Sequence, residues 1–114
     1  MSGVANWSFS AVVVANGTGT LNVGTVPANE IWEIVNVNIS VDSDTPVQRC
    51  ALIDYDGTTY YAFATTYYKT TWSVLIENYA IKEGHTFYIY VYNLDSANSH
   101  TFRGYVNWVT TQLQ

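Results

Sequence analysis

From Phe87 to Tyr92 the chain reads Phe-Tyr-Ile-Tyr-Val-Tyr, a strict two-residue alternation of apolar and phenolic side chains. Successive side chains of an extended strand point to opposite faces. This order therefore sets Phe87, Ile89 and Val91 on one face and Tyr88, Tyr90 and Tyr92 on the other, where a helix would mix the two sets around its circumference. Strong helix formers never gather on a 3.6-residue period elsewhere, and β-branched and aromatic residues dominate throughout. The chain is read as all-β.

Turn signals divide it into about eight extended segments. Trp7 to Ala15 ends in Asn16-Gly17, a dipeptide suited to a tight hairpin, so Thr20 to Val26 is expected to return beside it. Pro27 breaks the ladder before a long strand from Glu30 to Val41. In that strand Val35, Val37, Ile39 and Val41 share one parity, while Trp32 and Ile34 hold the other. Such a phase slip predicts a bulge or bend near Glu33, as when a strand crosses from one sheet toward another. After the polar loop from Asp42 to Pro46 come strands at Val47–Tyr55, Thr58–Thr66 and Thr70–Tyr79. Asp56-Gly57 turns the first of these into the second, and Tyr67-Tyr68-Lys69 links the second to the third. The turn at Gly84 leads into His85–Asn93, and Thr101–Thr111 is the last strand.

The expected architecture is an eight-stranded antiparallel sandwich, jelly-roll-like, filling residues 1–114 as one domain with 1–6 as a flexible N-terminal arm. The chain is short for a lipocalin-like barrel that encloses a ligand. An immunoglobulin-like sandwich stays open as an alternative, although its Cys…Trp…Cys arrangement is absent. Cys50 is the single cysteine, so no internal disulfide forms, and it is expected as a small core residue.

Charge narrows the partners. Only 11% of residues are charged, against about 25% in an average soluble domain. The four cations, Arg49, Lys69, Lys82 and Arg103, are scattered through a chain of net charge −5. No basic stripe meets phosphates, which argues against nucleic acid, and an anionic membrane surface would repel the chain. No apolar run approaches the ~20 residues that span a bilayer. Met1 to Asn6 lacks a basic segment followed by an apolar stretch, so synthesis in a cytoplasm without a signal peptide is expected.

Catalytic chemistry finds little material. His85 follows a turn and His100 ends a polar loop, both ordinary places for solvated histidines, and neither has metal-ligand spacing with another His or Cys. Asp54 and Asp56 lie beside a hairpin, and Glu30 and Glu33 flank Trp32; the turn role is favoured for Asp56 over paired-acid hydrolysis. Asp42 and Asp44 offer two hard ligands for calcium but lack the remaining acids of a calcium loop. No enzyme and no cofactor is expected.

Aromatic residues are the one excess, with ten Tyr, four Trp and four Phe. Tyr88, Tyr90 and Tyr92 share a face, and Tyr60, Tyr61, Tyr67 and Tyr68 cluster near a predicted strand end. These seven form the candidate interface or sugar-stacking surface. Cross-strand packing, a subunit interface and carbohydrate stacking compete to explain them.

The stretch Thr25-Val26-Pro27-Ala28-Asn29-Glu30-Ile31-Trp32 resembles the Val-Pro-Ala-x-x-x-Trp opening of small β-sandwich proteins in tailed-phage and other virus particles. Ile81-Lys82-Glu83-Gly84-His85 stands where that family has a late turn, without its proline. The resemblance implies a non-enzymatic virion protein, a capsid decoration, cement, turret or fibre-base subunit. Its implied partners are itself, as a trimer or other ring, and other virion proteins; it carries no site residue across. A carbohydrate-binding module or lectin using exposed Tyr and Trp is the alternative, and a small β-barrel enzyme comes third.

Overall fold

The computed structural model describes residues 2–77 and 79–113. Among them nine strands form: β1 (Ser2–Val13), β2 (Thr18–Thr25), β3 (Glu30–Val41), β4 (Gln48–Tyr55), β5 (Tyr60–Lys69), β6 (Thr71–Leu75), β7 (Ala80–Ile81), β8 (Thr86–Asn93) and β9 (His100–Gln112). No helix occurs among the described residues, so none is long and apolar enough to cross a membrane. One sheet runs β1-β9-β3-β6, with β7 also on β3, and the other runs β2-β8-β4-β5.

Every pairing is antiparallel, and the partners nest along the chain. β1 pairs with β9, β2 with β8, β3 with β6 and β7, and β4 with β5. The chain is thus rolled up around the β4–β5 hairpin, and the β3–β9 and β4–β8 pairings assemble the rolled ribbon into two sheets. This is a jelly-roll sandwich.

Four expectations differ from the structure. The segment read as one strand over 70–79 ends at Leu75, and the two-residue β7 follows it at Ala80–Ile81, so nine strands form among the described residues where eight were expected. Residues 2–6 of the expected arm are strand, paired with Thr111 through Asn107 of β9; Met1 lies outside the described residues. Asn16-Gly17 does make a turn, with Asn16 at φ 55° and the Gly17 amide bonded to the Val14 carbonyl at 2.8 Å. It joins no hairpin, because β1 and β2 belong to opposite sheets. Tyr67 to Lys69 are not a connection but the end of β5, with Tyr68 at φ 52°.

The phase slip in β3 is real and lies slightly later than expected. Its register against β9 shifts between Ile34 and Asn36, which turns Val35 outward at 40% exposure. Trp32 and Ile34 before it, and Val37, Ile39 and Val41 after it, therefore all face the core. The bulge serves to keep one strand inward-facing; β3 stays in a single sheet.

Inside, Phe87, Ile89, Val91, Leu52, Phe102 and Val106 are fully shielded from water. Each contributes roughly 1.5–3 kcal/mol by burial. Trp32 stacks on Trp108 with ring centroids 4.7 Å apart. Gly104 on β9 lets the Phe9 ring and the β3 backbone close in. A Cβ there would sit 2.4 Å from the Asn38 carbonyl oxygen and 2.9 Å from Phe9. Cys50 is buried as expected, and burial pushes its thiol well above the usual range. It donates to Gln48 Oε1 at 2.8 Å.

Two buried carboxamides close one end of the sandwich. Gln48 and Asn93 are opposite each other in the β4–β8 register and both are fully buried. Asn93 Nδ2 donates to the carbonyls of Val13, Val14 and Asn98, and its Oδ1 accepts from the Asp95 amide. Gln48 Nε2 reaches the carbonyls of Ile39 and Thr70 at 3.3 Å. Side chains of one sheet thereby satisfy backbone groups where strands of the other end.

A half-buried clamp reinforces the same end. His100 Nε2 meets Asp95 Oδ2 at 2.7 Å and its Nδ1 meets Asp42 Oδ1 at 3.0 Å, so the protonated ring donates to a carboxylate from each nitrogen. Asp42 also accepts the Thr101 amide. His100, expected as a solvated loop residue, instead ties three segments together. Its bond to Asp95 raises its pKa above the ordinary 6.5. Asp42 is lowered from 3.8 chiefly by the Thr101 amide, and Asp95 chiefly by His100.

Two outcomes follow. Replacing Asn93 by Leu strands three carbonyls and an amide, at a cost of about 3–5 kcal/mol. Urea unfolding reads this directly against Asn22→Leu on the exposed face of β2. A cost below about 1 kcal/mol would refute the closure role. For the clamp, a raised His100 pKa gives stability that is full below 6.5 and is lost as pH rises through the folded value. The lowered Asp42 and Asp95 give stability present above 3.8 and lost as pH falls through their folded values. The wild-type melting temperature should therefore decline as pH rises above 6.5, and His100→Gln should flatten that decline.

Candidate functional site

The seven tyrosines do not form one surface. Alternation along β8 turns Tyr88, Tyr90 and Tyr92 to the outer face of the β2-β8-β4-β5 sheet, each half-buried. Tyr60 joins Tyr88 there, with centroids 6.3 Å apart, and both pack on Tyr55. Tyr67 lies under the Arg49 guanidinium, 4.4 Å from carbon to centroid, with Tyr68 alongside at 5.8 Å. These two occupy the far end of β5 and are more than half exposed. Tyr61 takes the opposite parity and faces Tyr79 at 6.0 Å. One sequence cluster is thus three separate groups.

Tyr61 belongs to a cleft at the end of the sandwich opposite the carboxamides. Asp54, Asp56, Thr59, Tyr61, Tyr79 and His85 line it, with Ala80 and Lys82, around a volume of about 330 Å³. The β4–β5 hairpin forms one wall and the turn from β7 to β8 another. The inward row of β4 runs Gln48, Cys50, Leu52, Asp54, so the strand that begins on a buried amide ends on a buried carboxylate.

Asp54 organises the cleft. Tyr79 donates its hydroxyl to Oδ2, and His85 Nδ1 donates to Oδ1 at 2.7 Å. Burial first, and then the bond to Asp54, push the Tyr79 hydroxyl above the usual phenol range. The Tyr79 ring stacks on Phe63 at 4.2 Å, which in turn packs on Phe87 in the core. The carboxylate, imidazole and phenol are therefore fixed against the hydrophobic interior. Asp56 turns the hairpin as expected, accepting the amides of Thr58 and Thr59 on Oδ1, with Gly57 at φ 100°.

Sequence reasoning missed this group. It treated His85 as an ordinary turn residue and Asp54 only as half of an acid pair. The available signal was parity: in a strand alternating from Cys50 through Leu52, Asp54 falls on the core side and requires partners. Nothing local names Tyr79 and His85, which lie 25 and 31 positions away.

Three of the other acids considered in the sequence are engaged elsewhere. Glu30 accepts from Trp32 Nε1 and Gln112, and Glu33 accepts from Thr111. Asp42, expected as a possible calcium ligand with Asp44, is the anchor of His100. Among the described residues, no group of three or more His, Cys, Asp and Glu side chains is arranged to hold a metal.

No family model and no curated protein sequence matches the chain. Solved structures do match in fold. A chain from an archaeal virus, described by its triple jelly-roll fold and turret assembly, superposes with a TM-score of 0.67 at 13% identity, over 97% of this protein and 29% of that chain. A chain of Sulfolobus Turreted Icosahedral Virus superposes with a TM-score of 0.65 at 14% identity, over 98% of this protein and 31% of that chain. This protein spans less than a third of either neighbour's length. Both neighbours come from archaeal viruses, whereas the sequence resemblance had pointed first to tailed phages. At this identity the match establishes the jelly-roll fold alone.

Proposed function

We propose that the protein is a non-enzymatic structural subunit of a virion. It acts through protein–protein contacts as a capsid decoration or surface component of the turret or fibre-base kind. The observation that carries this reading is the superposition of nearly the whole chain on part of a much longer turret-assembly protein from an archaeal virus.

The surface supports that role. β1 is an edge strand of 12 residues with no charge and no proline, and it exposes Val4 and Val12 at 81% and 73%. Soluble monomers usually protect such an edge with lysine, proline or a bulge, because its free amides and carbonyls template pairing with another chain. β5, an edge of the other sheet, carries Tyr60, Tyr67 and Tyr68, each more than half exposed. Tyrosine adds contact area at small entropic cost and is enriched at interface cores. The assembly is a homo-oligomer, a trimer or other ring, that docks on further virion proteins. It is made in the host cytoplasm and resides in the particle.

Light scattering of the purified protein across a dilution series tests the reading. A discrete oligomer that persists on dilution is expected. Tyr67→Ser with Tyr68→Ser should lower the mass to that of one chain while leaving the circular dichroism unchanged. A monomer at every concentration, or an oligomer indifferent to substitutions on both edge strands, would overturn it.

A further inference from the structure

We infer that the cleft around Asp54 and His85 binds a neutral saccharide, one sugar ring seated against Tyr61. The chemistry that sugar recognition needs is assembled in this cleft and not on the outer tyrosine ladder of β8. A neutral pyranose presents hydroxyls that both donate and accept, together with a patch of C–H groups. It requires fixed donors and acceptors around an aromatic surface, in a concavity of matching size.

The cleft meets each requirement. Its volume of about 330 Å³ lies at the low end of ligand pockets, suited to a single small ring. Tyr61 remains 57% exposed and inclines 31° to Tyr79, which leaves phenol surface open to a ligand. Asp54 fixes the imidazole through Nδ1, so the ring's remaining polar atom is Nε2; among the described residues it bonds to nothing. The Lys82 ammonium and the Asp56 Oδ2 are likewise free among the described residues, and Thr59 adds a hydroxyl to the lining. Donors and acceptors thus line the same walls. Because Tyr79 and His85 are already tied to a carboxylate that is 9% exposed, ordering costs at binding are small.

Other ligand classes fit less well. A phosphate or other anion would meet two carboxylates, Asp54 and Asp56, against one lysine. A metal ion would find both Asp54 oxygens bonded to Tyr79 and His85. A wholly apolar ligand would strand the polar walls. This inference stands on the cleft alone and does not require the virion reading.

The test is a titration of the full-length protein by two-dimensional NMR with methyl β-galactoside, methyl β-glucoside, methyl α-mannoside and, separately, inorganic phosphate. At least one neutral glycoside should give saturable shifts confined to residues 54–61 and 79–85, with millimolar affinity. Tyr61→Ala should weaken that binding at least about tenfold, as loss of a central aromatic contact does. His85→Gln, which keeps a donor and an acceptor, should retain more affinity than His85→Ala. Tyr90→Ala on the outer face should change nothing. The inference is overturned if none of the three glycosides saturates, if phosphate alone binds, or if affinity follows Tyr90 and not Tyr61. Urea midpoints within error of wild type would separate lost contact from lost fold, and oligomeric mass measured on the same samples reports independently on assembly.

Discussion

Gln48 and Asn93 meet inside the sandwich with no access to water, and the arrangement of the two sheets depends on that meeting. Apolar contact between sheets is strong but weakly directional; many small slides of one face over the other bury nearly the same area. Hydrogen bonds are directional. Asn93 belongs to β8 in one sheet, and two of the carbonyls it holds, those of Val13 and Val14, mark the end of β1 in the other. Gln48 does the same for Ile39 in β3. A slide would strand buried polar groups at about 1–3 kcal/mol apiece, so the amides turn a tolerant contact into a single register. The rest of the inward faces, from Cys50 and Leu52 to Val91, Ile89 and Phe87, falls into place by alternation from that end.

The same alternation produces an asymmetry. At its seventh residue the inward row of β4 arrives at Asp54, opposite Phe87. At the amide end, loops fold over and every donor finds a carbonyl; at the carboxylate end, the partners are side chains, Tyr79 and His85, each with polar or aromatic surface left over. One end is finished as structure and the other retains unspent bonding capacity. The sandwich supplies a rigid floor for it through Phe63 and Phe87.

What was legible in the sequence follows from what a two-residue period encodes. Period two states which face a side chain takes, so the split of Phe87, Ile89 and Val91 from Tyr88, Tyr90 and Tyr92 was readable without a structure. The slip in β3 was readable for the same reason, although the bulge lies at Val35 and not near Glu33. The period says nothing about which strand lies alongside. The turn that closes at Gly17, with Asn16 at φ 55°, delivers the chain to the opposite sheet, because β9 occupies the place beside β1. Partners in a nested roll are maximally distant in sequence, from Ser2 against Thr111 inward. A site assembled across such pairings, Asp54 with Tyr79 and His85, leaves no local spacing to find. The tyrosines illustrate the converse: Tyr60 and Tyr61 are adjacent in sequence and belong to different surfaces for that very reason.

The low charge of the chain takes on a physical meaning in this fold. Solubility is ordinarily maintained by charged surfaces and protected edges. Here β1 presents an uncharged edge, and the outer face of the other sheet is half-covered phenol. Hydroxyl and amide side chains keep such surfaces hydrated while a chain is alone, yet they impose little desolvation penalty when a neighbour arrives; lysine and glutamate would impose much more. The cations that remain are placed with economy: Arg49 lies over Tyr67 and Lys82 lines the cleft. The sealed carboxamide end and the open carboxylate end are thus joined along the length of a single strand, β4, whose inward row runs from Gln48 to Asp54.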